Sequence, residues 1–317
     1  MTLKHSSVTM LIAFLTTLSG HLFSQSISGT IVGTVRDASG AVVVGARVDA
    51  TSISTGISQA TTSGEDGDYT IPNLPPGDYK IAAQMNGFTT AVASRSTVQL
   101  QQTTRVDFTL NPGAVNQEVI VSDPSPLVQS TTSDLGQVID SRQIETLPLN
   151  GRLFEQLVTI TPGAVQAGFR DFAENPSAAG SVSAANAVVN GLPWSGNYYT
   201  VDGVHNTEPL NAFISITPPL DSIQEFKVET SNPNAEYGSF GGAIVNLAMK
   251  SGTNQFHGEA FDYLRNDDLN ARDFFAQTRS PYKSNQFGVA VGGPIIKNKL
   301  FFLSTINNSC STRVRRI

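Results

Sequence analysis

His205 and Glu208 stand in the H-x-x-E spacing with which zinc peptidases place two metal ligands on one segment. A catalytic zinc needs three protein ligands, commonly another His. Only four histidines occur, His5, His21, His205 and His257, and the first two fall in the N-terminal segment. A two-residue match arises easily by chance, so coincidence is the favoured reading and no metal ligand is assigned. His257-Gly258-Glu259 has the H-x-E of zinc deaminases, but the partner P-C-x-x-C is absent. No G-x-S-x-G elbow, phosphate loop or dinucleotide fingerprint occurs. The sequence therefore predicts no catalytic residue, no cofactor and no enzyme. Trp194, Tyr198 and Tyr199 could stack on a sugar or other ligand, although packing inside their own domain is the simpler reading.

A different chemistry is available to main chain alone. Glu118-Val119-Ile120-Val121 is an apolar, β-prone tetrapeptide, and Ser122-Asp123-Pro124-Ser125-Pro126 follows it. Such a peptide can pair its backbone with the edge of another sheet. The alternative, an internal edge strand, is as well supported by the residues. The formal net charge of -6 gives no basic patch for nucleic acid. The single cysteine, Cys310, excludes an intrachain disulfide framework.

The elements that must carry these residues are short strands. Lys4 followed by the apolar run Val8 to Leu18 reads as an export signal over residues 1–25, since about 20 apolar residues are needed to span a bilayer as a helix. An uncleaved anchor or a buried strand is the alternative. No later stretch approaches a transmembrane helix, so any membrane passage must be a β-barrel. Over residues 26–112, β-prone runs such as Thr30–Val35 and Tyr69–Ile71 alternate with turn clusters such as Arg36–Gly40 and Pro75–Gly77. Val106, Phe108 and Leu110 alternate with Arg105, Asp107 and Thr109, a half-buried strand. About seven short strands without a helical period predict a β-sandwich. Asp66 and Asp68 lack the further oxygen ligands of a calcium loop, and a plain hairpin turn is expected there.

These residues also resemble a known family. Ile31–Asp37, the Gly40 turn, Gly45–Val48, Gly67–Ile71 and Leu74–Tyr79 are similar to the carboxypeptidase-regulatory-like domain. That resemblance implies a transthyretin-like sandwich and says little about function.

Residues 113–127 read as a linker, and residues 128–250 as a compact α/β domain. Asp140 or Ser141 can cap a helix containing Ile144 and Leu147, which Pro148 ends. Asn150 can cap a second, with Leu153 and Leu157 four apart. Asp221 can cap a turn over 222–225 that leads into a strand at 226–230. Val188–Gly191 and Tyr198–Gly203 are strands closed by turn dipeptides. Thr146–Arg152, Val189–Gly191, Thr200–Val204, Ile223–Val228, Ala235–Gly238 and Gly241–Asn246 resemble the plug of TonB-dependent outer-membrane transporters, in the Oar-like branch that carries the sandwich in front. The resemblance implies a plug that fills a barrel lumen, with Asp202, Gly203, Tyr237, Gly238, Gly241 and Gly242 as its motif residues. It also implies that Glu118–Val121 is the TonB box, offered to periplasmic TonB and its inner-membrane energising complex.

Over residues 251–317 bulky residues alternate with small ones, most clearly in Phe287–Gly292, as a wall strand facing lipid requires. Gln255–Phe261, Leu264–Asp267, Ala271–Phe275 and Gly292–Lys297 resemble the first barrel strands of the same branch. At about 10 residues per strand this segment holds about four strands, against about 22 in a plugged transporter. The alternation fades from Asn307, so a truncated, non-transporting barrel start is expected. The leading expectation is thus uptake of an unidentified substrate, a carbohydrate or another large nutrient, across the outer membrane, with outer-membrane lipid as a further partner. A secreted binding or adhesion module built on the sandwich is the alternative, and a zinc peptidase the third reading.

Overall fold

The computed structural model describes residues 27–113, 118–120, 135–147, 149, 152–166, 187–210, 214–233, 237, 241–269, 271, 272, 274, 277, 279 and 281–313. The export signal at 1–25, Val121, Pro148, Asn150 and Gly238 lie outside these residues. The chain is mostly β. Among the described residues no helix is long and apolar enough to cross a membrane, which says nothing of strands.

The first region is the expected sandwich. Its strands are β1 (Gly29–Asp37), β2 (Arg47–Ser52), β3 (Ser58–Thr62), β4 (Asp68–Leu74), β5 (Gly77–Gln84), β6 (Thr90–Val98), β7 (Thr103–Arg105) and β8 (Phe108–Leu110). One sheet sets β1 between β4 and β7, with β8 continuing beside β1. The other runs β3-β2-β5-β6 and then β9 (Glu118–Ile120). Period-two alternation points Ile31, Val35, Val48, Ala50, Tyr69, Ile71, Ile81 and Phe108 into one shared core. The single strand expected around Val106 is divided into β7 and β8. Val106 and Asp107 turn aside there: the Val106 N–H bonds Val32, and the Asp107 carboxylate accepts the Thr34 N–H at 2.8 Å. The Asp66 turn is tight, as expected, with Gly67 at φ +75°. It joins strands of opposite sheets, however, and is not a hairpin, because β3 pairs β2 whereas β4 pairs β1.

An α/β region follows: β10 (Leu135–Asp140), α1 (Ser141–Thr146), α2 (Glu155–Val158), β11 (Ala164–Gln166), β12 (Ala187–Val189), β13 (Tyr198–Val201), β14 (Val204–His205), β15 (Ile223–Ser231) and β16 (Ile244–Met249). The main sheet has the order β10-β15-β16-β13-β14, with β13 parallel to β16. Asp140 caps α1 through a complete capping box with Gln143. The second helix is only four residues long and begins at Glu155, with no side-chain cap. Asp221 sits within a 3-10 turn, Leu220–Ser222, and the strand begins at once at Ile223. Its carboxylate is engaged by Arg152 and does not cap the following turn. Phe154 and Phe226 meet edge-on, ring centroids 6.0 Å apart, in a core shared with Ile139, Ile144, Leu157, Val228, Val245 and Leu247.

The last described region is an antiparallel meander, β17 (His257–Asn266), β18 (Tyr282–Ile296) and β19 (Leu300–Arg313). It has three long strands where four shorter ones were expected. The final strand also persists past Asn307, pairing with β18 as far as Tyr282↔Arg313. Ladder bonds are made by main chain, so the polar run Asn307–Thr312 continues the strand without apolar alternation.

Candidate functional site

The strand-addition peptide does not stand free. Glu118, Val119 and Ile120 lie parallel to β6, in the register Thr90↔Glu118, Ala91↔Val119 and Val92↔Ile120. The chain reaches that edge along a continuous track. The Thr89 N–H bonds the Asn111 carbonyl at 2.8 Å and the Gly113 N–H bonds Gly87 at 3.1 Å, with a bridge between Phe88 and Pro112. The internal-edge alternative therefore describes the backbone.

The sandwich meets the α/β sheet through a buried polar seam. Strand β15 sends Phe226 and Val228 into the apolar core, so Glu225, Lys227 and Glu229 must share the opposite face. All three are buried. Lys227 Nζ lies 3.1 Å from Glu229 Oε1 and donates to the Gln101 carbonyl at 3.3 Å. The Leu100 N–H donates to Glu225 Oε1. The Gln101 side chain donates to the Tyr237 hydroxyl at 2.6 Å and accepts from Asn246 Nδ2 at 2.7 Å. Thr200 Oγ1 completes the row, donating to Asn246 Oδ1 at 2.6 Å. Burial pushes the Glu225 carboxyl up to about 7; the Leu100 N–H opposes this and the Asp140 charge adds to it.

The expected motif residues have structural tasks around this seam. Asp202 (φ +48°) and Gly203 (φ +75°) form a left-handed turn, and Asp202 Oδ1 accepts the Met249 N–H at 2.9 Å, tying that turn to the end of β16. Gly242 is required by close approach, since a Cβ there would stand 2.5 Å from Asn197 Oδ1. Gly241 is less constrained: its Cβ would meet only Leu192 Cδ1, at 3.2 Å. Tyr237 packs on Tyr198, ring centroids 5.9 Å apart. Tyr198 and Tyr199 are neighbours on one strand and point to opposite faces. Tyr198 joins Tyr237 and Ile244, whereas Tyr199 enters the apolar core. Trp194 is half-buried in a 3-10 turn. The structure does not gather the three aromatics on one face.

His205 stacks on Tyr198, centroids 4.7 Å apart, and Glu208 accepts the Leu210 N–H at 2.9 Å. Among the described residues no group of three or more His, Cys, Asp or Glu could hold a metal ion.

Sequence reasoning missed a second junction. Arg152 pairs with the buried Asp221 while its guanidinium lies 4.5 Å from the ring centroids of both Phe261 and Tyr263 on β17. This clasp joins the α/β region to the meander beside a cleft of about 700 Å³, lined by Ile144, Leu147, Arg152, Leu220, Tyr263 and Tyr282. The only available signal was the aromatic spacing Phe261-x-Tyr263, which puts both rings on one strand face.

Comparison with known proteins decides the kinship. Residues 30–111 match the carboxypeptidase regulatory-like domain, and residues 248–311 match an outer membrane beta barrel domain. Over 299 residues the sequence is 27% identical to the TonB-dependent transporter Oar of Myxococcus xanthus, an alignment that takes in 89% of this chain and 26% of that protein. The chain is homologous to a TonB-dependent transporter. It spans about a quarter of the length of that relative. The homology and the barrel-domain match indicate an outer-membrane location. That relative is named as a transporter. Two solved structures are also similar. The siderophore receptor PirA from Acinetobacter baumannii has a TM-score of 0.40 and 20% identity over 57% of this chain and 25% of its own. PirA from Pseudomonas aeruginosa has a TM-score of 0.38 and 16% identity over 56% and 29%.

Proposed function

We propose that this chain supplies the sandwich, the plug and the first barrel strands of a TonB-dependent outer-membrane transporter for a substrate not yet identified. Residues 26–112 are the sandwich, 113–127 the linker bearing the TonB box at Glu118–Val121, 128–250 the plug, and 251–317 the barrel start. Homology over 89% of the chain to a protein named for TonB dependence carries this reading. The pattern of β18 supports it. Phe287, Val289 and Val291 are exposed while Gly288, Ala290 and Gly292 between them are buried, so one face of β18 is bulky and apolar, as in a strand with a lipid-facing side. The Arg152 clasp supports it too, because it fastens the proposed plug to the opposite, inward face.

TonB would act on main chain, by strand addition to Glu118–Val121. Proline removes a donor and fits poorly inside a paired strand. In an outer-membrane transporter carrying this chain, Val119→Pro is therefore expected to abolish TonB-driven uptake while substrate still binds to cells. Accumulation of labelled substrate, with and without TonB, is the measurement. Uptake by the variant at the normal rate would show that this segment is not the TonB box.

A further inference from the structure

The proposed TonB box and the sandwich are in contact, and the contact has the form of a latch. Strand β6 is paired with β5 along one side. Its other side would be a bare edge at residues 90–92 were β9 not there. Burial along β6 changes where β9 lies. From Thr90 to Ala93 four consecutive residues are buried, on both faces, whereas Ser94, Arg95 and Thr97 beyond the pairing are exposed. The approach is fixed as well, since Asn111, Pro112 and Gly113 run antiparallel along residues 87–89 before β9 begins. Among the described residues the pairing covers Glu118, Val119 and Ile120. Strand addition to a new sheet would compete for the main-chain groups of this same segment.

We infer that the β6 edge of the sandwich is the resting-state dock of Glu118–Ile120 of the TonB box, and that TonB captures the box only as these three residues leave β6. The sandwich then sets how readily the transporter is energised. This rests on the assignment of Glu118–Val121 as the TonB box.

The experiment uses the full chain with Cys310→Ser, Thr90→Cys and Glu118→Cys. Directly paired residues on adjacent strands are within disulfide reach, so oxidation should staple β9 to β6. Binding of the purified periplasmic domain of TonB is measured before and after reduction, and amide exchange at residues 90–92 is followed in the unmodified chain. The expected result is a disulfide that forms readily and weakens TonB binding by at least about tenfold, with recovery on reduction. Exchange at 90–92 should speed up when TonB is added. Equal binding by oxidised and reduced chains overturns the dock and leaves the TonB-box reading intact. A disulfide that does not form overturns the dock through its geometry. TonB binding that is absent even after reduction, and from the unmodified chain, overturns the TonB-box assignment and the dock with it.

Discussion

At Glu225 burial and charge oppose each other directly. It is 6% exposed on a strand face that the sandwich covers, and burial raises its carboxyl from 4.5 to about 7. A carboxyl whose folded pKa exceeds its unfolded value binds its proton more tightly in the folded chain. The stabilisation that the proton brings is complete below about pH 4.5 and is lost as pH rises through about 7. A gap of this size corresponds to about 3 kcal/mol. Glu225→Gln keeps an acceptor for the Leu100 N–H and cannot ionise. The unmodified protein should thus lose about 3 kcal/mol of stability between pH 4.5 and pH 8 from this group, and the variant should lose none of it. Denaturant titrations at both pH values check this, and parallel losses in the two proteins would refute it.

At the scale of elements, the same alternation means different things in different strands. In β15 the residues Glu225, Lys227 and Glu229 alternate with Phe226 and Val228, a pattern that by itself describes one wet face and one dry one. Both faces are buried, because Leu100 and Gln101 of the sandwich close over the charged side. In β18 the alternation is bulky against small, and the bulky side stays exposed. If that side faces lipid, Val289→Arg should cost about 2–4 kcal/mol near the bilayer midplane, while Val289→Leu should cost little. The amount of each variant recovered in the outer-membrane fraction tests the assignment. Equal recovery of Arg and Leu variants would mean that Val289 does not meet lipid.

At the scale of the whole molecule, small clasps join the regions, among them those at Arg152 and Gln101. Arg152, anchored within the α/β region by its ion pair with Asp221, holds β17 through two aromatic faces. Gln101 holds the sandwich to the α/β sheet through Tyr237 and Asn246. Gln101→Ala would leave the buried Asn246 amide without one of its acceptors, at a cost of about 1–3 kcal/mol. The expected consequence is local, since neither apolar core is touched. Amide exchange should accelerate in residues 99–102 and 225–229 and stay unchanged in β1 and β2. Unchanged exchange at the seam would show that Gln101 contributes nothing to holding the regions together.

The sequence by itself determined the local structure. Turn residues and period-two alternation are properties of neighbouring positions, and they marked the sandwich strands, the α1 cap at Asp140, the Asp202-Gly203 turn and the two-faced β18. It also carried the resemblance that the homology to Oar supports. What it could not determine was which edges and faces would be covered. Glu118–Ile120 can pair with any accepting edge, and only the path of residues 111–113 along 87–89 brings it to β6. Tyr198 and Tyr199 are adjacent in sequence and part company because strand geometry sends them to opposite faces. Arg152 and Asp221 lie far apart in the chain, as do Gln101 and Asn246. Their pairing depends on how whole sheets pack, and no spacing along the chain encodes a contact that exists only after two separate elements have been brought together.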